Sequence, residues 1–142
     1  MKRMLVLANM IGAIIVLTAG ASAGVGARLR ADVPFAFYVE KDLLPAGHYT
    51  FEMMPLSPNT SSASSVLVRR SDGSAVVRIS TIPGDNSVRS TVAQLVFNKY
   101  GEKYFLSQVE NSDFQANLRL TKVERELRAN IGKPGAVNLA AE

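Results

Sequence analysis

The sequence predicts an all-β fold, a small antiparallel sandwich or barrel of about six strands with one short C-terminal helix. Two observations lead to this prediction. Apolar residues recur at every second position in several short segments, for example at Val33, Phe35 and Phe37, which is the pattern of strands with one buried face. Turn-forming pairs such as Asp72-Gly73 separate these segments. The 142 residues, of which 47% are hydrophobic, are enough for one such domain.

The first 23 residues have the three parts of a secretory signal peptide. Met1 to Arg3 is basic, Met4 to Ala19 is largely apolar, and small residues lead to an A-x-A site that ends at Ala23. The apolar run is shorter than the ~20 residues of a spanning helix, which favours cleavage over an uncleaved anchor. We therefore expect a secreted or periplasmic protein with one β domain over 24–131 and a flexible tail over 132–142.

The first two predicted strands lie on either side of a proline-containing turn. The period-two pattern from Val33 runs to Val39, with Pro34 expected at the strand's start or on a sheet edge because it has no N–H to donate. Leu44 to Gly47 is a turn. In the second strand, Tyr49, Phe51 and Met53 share one side.

The Asp72-Gly73 turn predicts a β-hairpin with a defined register. Pairing of Ser71 with Ser74 makes both strands agree on which side is apolar, an agreement that a slip of one residue would destroy. The predicted apolar face consists of Val66, Val68, Val77 and Ile79, and the opposite face of Leu67, Arg69, Val76 and Arg78.

A second hairpin is predicted around Gly101-Glu102. Its register places Phe97 opposite Leu106 and Leu95 opposite Gln108. The reverse face also carries apolar residues, so another element or a partner must cover it. This possible apolar interaction face consists of Val96, Phe105 and Val109.

The predicted helix begins at a capping box, in which Thr121 is the N-cap and Glu124 stands three residues later. Val123, Leu127 and Ile131 follow at four-residue spacing and form one apolar stripe. Gly132 and Pro134 end the helix. A helix this short must dock to be stable, and we expect the stripe to pack on the sheet.

Composition excludes several kinds of site. With no cysteine and one histidine, the chain has neither disulfides nor zinc–thiolate sites nor metal sites that need two imidazoles. The net charge of +4 falls further once Lys2 and Arg3 leave with the signal peptide, which together with export disfavours nucleic acid as a partner. We predict no metal site, no cofactor, and no membrane span once the signal peptide is cleaved.

No catalytic constellation is apparent in the sequence. His48 lies between a turn and a strand, and the chain has no G-x-S-x-G nucleophile motif. Carboxylates could still support glycan hydrolysis, but none stands alone in the apolar run that raises a catalytic pKa. The acidic residues considered are Glu40, Glu52 and Glu110 on predicted strands and Asp85 and Asp113 in predicted loops.

Four arginines form a possible patch for an anionic partner. Arg69, Arg70 and Arg78 lie at the first hairpin, and Arg89 lies in the loop that follows it. One interpretation is a charged face that keeps a strand pair soluble and discourages edge-to-edge pairing. The other is a site for envelope polysaccharide or lipid headgroups.

Three segments resemble a family of small, uncharacterised secreted bacterial proteins. Val33 to Val39 is similar to a VPFxFxV strand, Leu44 to Tyr49 to an LPAGxY turn, and Tyr100 to Leu106 to a YGxxYFL hairpin. An element near the family's C-terminus is similar to Thr121 to Arg125. The resemblance implies the fold and export, and it implies no activity, cofactor or functional residue.

We therefore expect an exported, non-enzymatic protein with a binding or structural role in the cell envelope or outside the cell. Its partner would be an envelope polysaccharide or another envelope protein. Two alternatives stay open. A small β-barrel carrier of an apolar ligand predicts an enclosed apolar cavity, and a carboxylate-dependent glycan hydrolase predicts two carboxylates about 5–10 Å apart in a cleft.

Overall fold

The structure, a computed structural model, describes residues 28–55, 63–74, 76–83, 91–112 and 114–142. These residues form ten strands and one helix, so the predicted all-β class is confirmed and the strand number is wrong. In chain order the elements are β1 Arg28–Val33, β2 Phe37–Val39, β3 Asp42–Leu44, β4 Gly47–Pro55, β5 Ala63–Arg70, β6 Val76–Pro83, β7 Gln94–Tyr100, β8 Lys103–Glu110, β9 Gln115–Leu118, α1 Lys122–Ile131 and β10 Gly135–Ala140. The predicted signal peptide lies outside the described residues.

All ten strands belong to one continuous sheet that does not close into a barrel. Its order is β1-β4-β5-β6-β9-β8-β2-β3, and β7 pairs with both β8 and β10. Strand β6 joins a first half of the sheet, which contains β1, β4 and β5, to a second half, which contains the remaining strands. It pairs with β5 through Ser80 and with β9 from Thr81 onwards. The outer strands come together where Arg30 and Glu142 exchange two backbone hydrogen bonds of 2.7 and 2.8 Å.

Side chains from both halves form one hydrophobic core. Phe37 on β2 lies edge-to-face against Tyr49 on β4 and against Phe97 on β7, with ring centroids 5.1 and 5.4 Å apart. Edge-to-face contacts of this kind add to the burial energy of the rings themselves. Phe51 on β4 and Leu95 on β7 are fully buried in the same cluster.

The strand predicted over 33–39 is two strands. β1 ends at Val33 and pairs with β4, whereas β2 begins at Phe37 and pairs with β3 and, in parallel, with β8 at Tyr38–Phe105. The break follows from Pro34, which cannot donate to a ladder. The chain therefore passes here from one half of the sheet to the other, and the sheet is not purely antiparallel.

The register predicted for the first hairpin is confirmed. Val66 pairs with Ile79 and Val68 with Val77. The ladder ends one step earlier than expected, at Arg69–Val76, so the Ser71–Ser74 pair is not part of it. The N–H of Gly73 donates 2.8 Å to the carbonyl of Arg70 and closes the turn.

The second hairpin follows its predicted register only near the turn. Phe97 pairs with Leu106 as expected, but Leu95 pairs with Val109 instead of Gln108, because the register shifts between Val96 and Phe97. Ser107 is the extra residue of a β-bulge in β8. A one-residue shift exchanges the faces of a strand, so Val109 points into the core.

Helix α1 has the predicted capping box but not the predicted contact face. Thr121 Oγ1 accepts from the N–H of Glu124 at 3.1 Å, and Glu124 Oε2 accepts from the N–H of Thr121 at 3.2 Å. The expectation that the apolar stripe packs on the sheet was wrong for Val123 and Ile131, which are exposed, whereas Leu127 is half-buried. The helix buries Glu124 instead, which accepts a hydrogen bond from Asn98 Nδ2 on β7 at 3.3 Å.

The flexible tail expected over 132–142 is not observed. Residues 135–140 form β10, which pairs with β7 from Gly135–Lys99 to Ala140–Gln94. Val137 and Leu139 pack against the core. This pairing satisfies the edge of β7, which would otherwise expose its backbone groups.

Candidate functional site

The outer surface of β1, β4, β5 and β6 carries a basic face, defined here as Arg28, Arg30, Arg69 and Arg78. In β1, exposed Arg28 and Arg30 alternate with buried residues that point into the core. Directly paired residues of antiparallel strands point to the same side. One row of pairs runs Arg28–Glu52–Leu67–Arg78, and the next runs Arg30–Thr50–Arg69.

One carboxylate lies among these guanidinium groups. The side chain of Glu52 is only 14% exposed, and its Oε1 lies 2.9 Å from Arg28 Nη2. Its Oε2 lies 3.8 Å from Arg69 Nε. Because Arg28 and Arg69 are about half exposed, these ion pairs contribute little to stability, and the main effect of Glu52 is to orient the two arginines on the face.

The other two arginines of the face, Arg30 and Arg78, have a different environment. Arg78 Nη2 donates to the sulfur of Met54 at 2.9 Å, and within the described ranges neither Arg30 nor Arg78 forms an ion pair. Because adjacent strands are about 4.8 Å apart, Arg28 and Arg78 are about 14 Å apart across the sheet. Four arginines against Glu52 and the outward-facing Asp32 at the end of β1 leave an excess of positive charge over an extended area.

The structure brings together only part of the patch predicted from the sequence. Arg69 and Arg78 share the basic face. Arg70 does not, because it pairs with Tyr49 on the inward side and its Nη1 lies 3.6 Å from Asp72 Oδ2 in the turn. Arg89 lies outside the described residues. Arg28 and Arg30 were not predicted to be part of the patch, although the alternation of polar and apolar residues from Arg28 to Val33 could have identified them.

An open cavity of about 670 Å³ adjoins the basic face. Arg30 belongs to both features, and Thr50, which pairs with Arg30 and Arg69 in the sheet, also lines the cavity. The cavity lies where the end of β10 meets β1 and β4, and polar side chains dominate its lining. Its other polar lining residues are Asp32, His48, Ser71 and Glu142.

The cavity contains a histidine, an acid and a serine, but they are not arranged for nucleophilic catalysis. His48 Nδ1 lies 3.5 Å from Asp32 Oδ1, and both side chains are well exposed. The hydroxyl of Ser71 donates to the backbone carbonyl of His48 at 3.1 Å. A nucleophile must instead contact its general base, so the cavity provides binding groups rather than an activated hydroxyl.

The carboxylates considered for glycan hydrolysis are not brought together. Glu52 lies on β4 between two arginines, whereas Glu110 lies at the end of β8 in the other half of the sheet. Glu110 is buried and accepts hydrogen bonds from the side-chain amides of Gln94 and Gln108. Glu40 is exposed in the turn between β2 and β3. Asp85 and Asp113 lie outside the described residues.

The predicted apolar interaction face does not exist as an exposed surface. Val109 is fully buried in the core because of the bulge. Phe105 is 2% exposed, stacks on Tyr38 at 4.8 Å and lies edge-to-face to Tyr100. Val96 is half-buried. The rings of Tyr38 and Tyr100 thus cover Phe105 on this side of the sheet.

The described part of the chain contains neither a metal-binding cluster nor a membrane-spanning helix. No group of three or more His, Asp or Glu side chains there is placed to hold a metal ion. Within the same residues, no helix has the length and apolar character needed to cross a membrane.

Comparisons with known proteins add no relative. No protein-family model matches the chain, and neither the curated proteins nor the solved structures include a significant match.

Proposed function

We propose that this protein is an exported, non-enzymatic binding protein whose basic face binds an anionic polymer of the cell envelope. The observation that carries the proposal is that strand pairing places four arginines from three strands on one outer surface, where Arg28 and Arg69 flank Glu52. Planar guanidinium groups form paired hydrogen bonds with carboxylates, phosphates and sulfates. The sheet pairing fixes these groups on one surface before a ligand binds.

The shape of the site favours a polymer over a small ligand. The basic face extends over about three strand spacings, roughly 14 Å, which suits several anionic groups in a row. The adjoining cavity could hold one sugar residue or side group at the end of the face. A polysaccharide that carries carboxylates has both the repeated charge and the hydroxyl groups that fit this surface.

Export and family membership are parts of the same proposal. The basic, apolar and small-residue segments that end at Ala23 support export. The VPFxFxV, LPAGxY and YGxxYFL segments support membership of the small secreted bacterial family.

The two alternatives have less support. A carrier of an apolar ligand predicts an enclosed apolar cavity, whereas the cavity next to the basic face is open and polar. A glycan hydrolase predicts two facing carboxylates, whereas Glu52 is held by arginines and Glu110 by amides.

The proposal is tested by calorimetric titration of the purified exported protein with polygalacturonate, with neutral dextran as the control polymer. The double variant Arg30→Gln/Arg78→Gln should weaken polygalacturonate binding at least about tenfold, since bonds to charged groups contribute roughly 1.5–3 kcal/mol each. Higher salt should weaken binding of the unaltered protein, and dextran should not bind.

A matched control removes the same charge elsewhere. Lys41→Gln/Lys103→Gln changes two exposed lysines away from the basic face, one in the turn between β2 and β3 and one at the start of β8, and should leave binding nearly unchanged. Equal losses in the two double variants would mean that only net charge matters. That result, or the absence of polygalacturonate binding, would contradict the proposal.

A further inference from the structure

Helix α1 exposes the apolar residues that a docked helix normally buries. Val123 is 50% exposed and Ile131 is 62% exposed, and Leu120 just before the helix is 37% exposed. The side chain that α1 buries is a carboxylate, Glu124, at 3% exposure. The helix is therefore held to β7 through a polar contact, and much of its apolar stripe is left at the surface.

Basic side chains surround these apolar residues. All of them are exposed, and they are Arg119, Lys122, Arg125, Arg128 and Lys133. Of the two acidic residues of this segment, Glu124 is buried, and the exposed Glu126 offsets only Lys122, whose Nζ lies 3.9 Å from Glu126 Oε1. The surface of 119–133 is thus both cationic and apolar.

We propose that α1 attaches the protein to an anionic lipid surface. A helix with exposed apolar residues and flanking Lys and Arg can lie in the headgroup region, with its apolar side chains inserted and its basic groups near lipid phosphates. Long basic side chains can extend their charged ends to the headgroups while their stems cover apolar surface. This surface is separate from the basic face, which lies on the other half of the sheet.

Charge argues against a second copy of the chain as the occupant. In a two-fold dimer, the same patch of each copy meets its equivalent, which would bring two strongly basic surfaces together. Specific protein partners also need a packed central cluster of anchor residues, whereas Leu120, Val123 and Ile131 are distributed over the segment. A fluid anionic membrane accepts both the charge and the spacing.

A single tryptophan can report insertion, because the chain contains none. In the exported protein, Val123→Trp should show a blue-shifted emission when vesicles of phosphatidylcholine and phosphatidylglycerol in a two-to-one ratio are added. Pure phosphatidylcholine vesicles should give no shift. The matched probe is Val92→Trp. Val92 is 59% exposed and lies just before β7 begins at Gln94, and the emission of this variant should not shift with either vesicle.

Charge and apolar contributions are separated by co-sedimentation with the same vesicles. Arg125→Gln/Lys133→Gln should lower the partition coefficient more than about tenfold, since each basic residue near an anionic surface contributes roughly fivefold. Val123→Ser/Ile131→Ser should lower it severalfold at unchanged net charge. The charge-matched variant Arg30→Gln/Arg78→Gln on the basic face should lower the partition coefficient much less than the α1 variant does.

Three results would overturn the proposal. These are equal binding to both kinds of vesicle, loss of binding in the basic-face control equal to that in the α1 variant, and no binding at all. A sedimentation coefficient that shows a dimer abolished by Val123→Ser/Ile131→Ser would assign the patch to a second copy instead. None of these results bears on polygalacturonate binding, so the two proposals stand or fall separately.

Discussion

The packing of α1 depends most directly on the side-chain carboxyl group of Glu124. It accepts hydrogen bonds from Asn98 on β7 and from the N–H of Thr121, and so links the helix start to the sheet. Tyr100 lies close by, and its buried hydroxyl has no hydrogen-bond partner among the described residues. Burial raises the pKa of Glu124 above the ordinary 4.5, although its two hydrogen bonds act in the opposite direction.

This shift predicts a specific pH dependence of stability. Above pH 4.5 the unfolded chain has released the Glu124 proton while the folded protein still holds it, so the free energy of unfolding should fall as the pH rises through the folded pKa. Urea unfolding of the protein and of Glu124→Gln at a series of pH values measures the difference. A stability difference between the two that does not change with pH would contradict the shift.

Gly73 illustrates a backbone requirement at the scale of one residue. It closes the first hairpin at a φ of +76°, and an added Cβ would have nothing within 4 Å. Gly73→Ala should therefore cost only the backbone strain, about 1 kcal/mol of unfolding free energy in urea. Gly135→Ala, in equally open space without positive φ, is the matched control and should cost nothing. Equal effects would refute the strain argument.

At the scale of elements, β10 determines how the second half of the sheet ends. It pairs with β7 along its whole length, and the two residues after it reach Ala93 and Arg30 through backbone hydrogen bonds of 2.7–2.9 Å. The same strand thus covers the edge of β7 and connects the outer strands of the sheet. It also forms one wall of the cavity beside the basic face.

Truncation tests the structural role of β10. A chain that ends at Pro134 loses the ladder to β7 and the burial of Val137 and Leu139, and should be less stable by about 3 kcal/mol. A chain that ends at Ala140 keeps the ladder and should lose much less. Urea unfolding and hydrogen exchange of the β7 amides measure both. Unchanged protection of β7 in the shorter chain would mean that β10 is a tail after all.

Period-two patterning predicted which residues are buried better than it predicted which strands pair. It identified the Val66–Ile79 and Val68–Val77 pairs because a turn and two alternating strands agree locally. It could not find the bulge at Ser107 or the pairing of β10 with β7. A bulge changes the register without changing the composition, and an edge strand is selected by a partner distant in sequence.

The candidate site was predicted only in part for the same reason. Arg69 and Arg78 follow from a local hairpin register. Arg28 and Arg30 join them only through the pairing of β1 with β4, which the sequence analysis did not include because it began the first strand at Val33. The face of α1 was also misjudged, because an apolar stripe gives no sign that Glu124 is the buried contact.

At the scale of the whole molecule, one core supports two different outer surfaces. The first half of the sheet carries the basic face, and the second half carries α1 on β7. The shared core fixes the relative positions of the two surfaces. We propose that the basic face binds a polyanion because strand pairing holds its arginines on one surface. Binding should therefore depend on this arrangement and not on the net charge of the protein.

The most direct test is residue-resolved NMR of the isotope-labelled chain of residues 24–142 during titration with polygalacturonate. The account predicts amide shift changes concentrated in Arg28–Val33 of β1, in Gly47–Pro55 of β4 and around Arg69 and Arg78, diminishing as salt is added. Changes centred on α1 and β7, or spread evenly over all exposed basic residues, would contradict it.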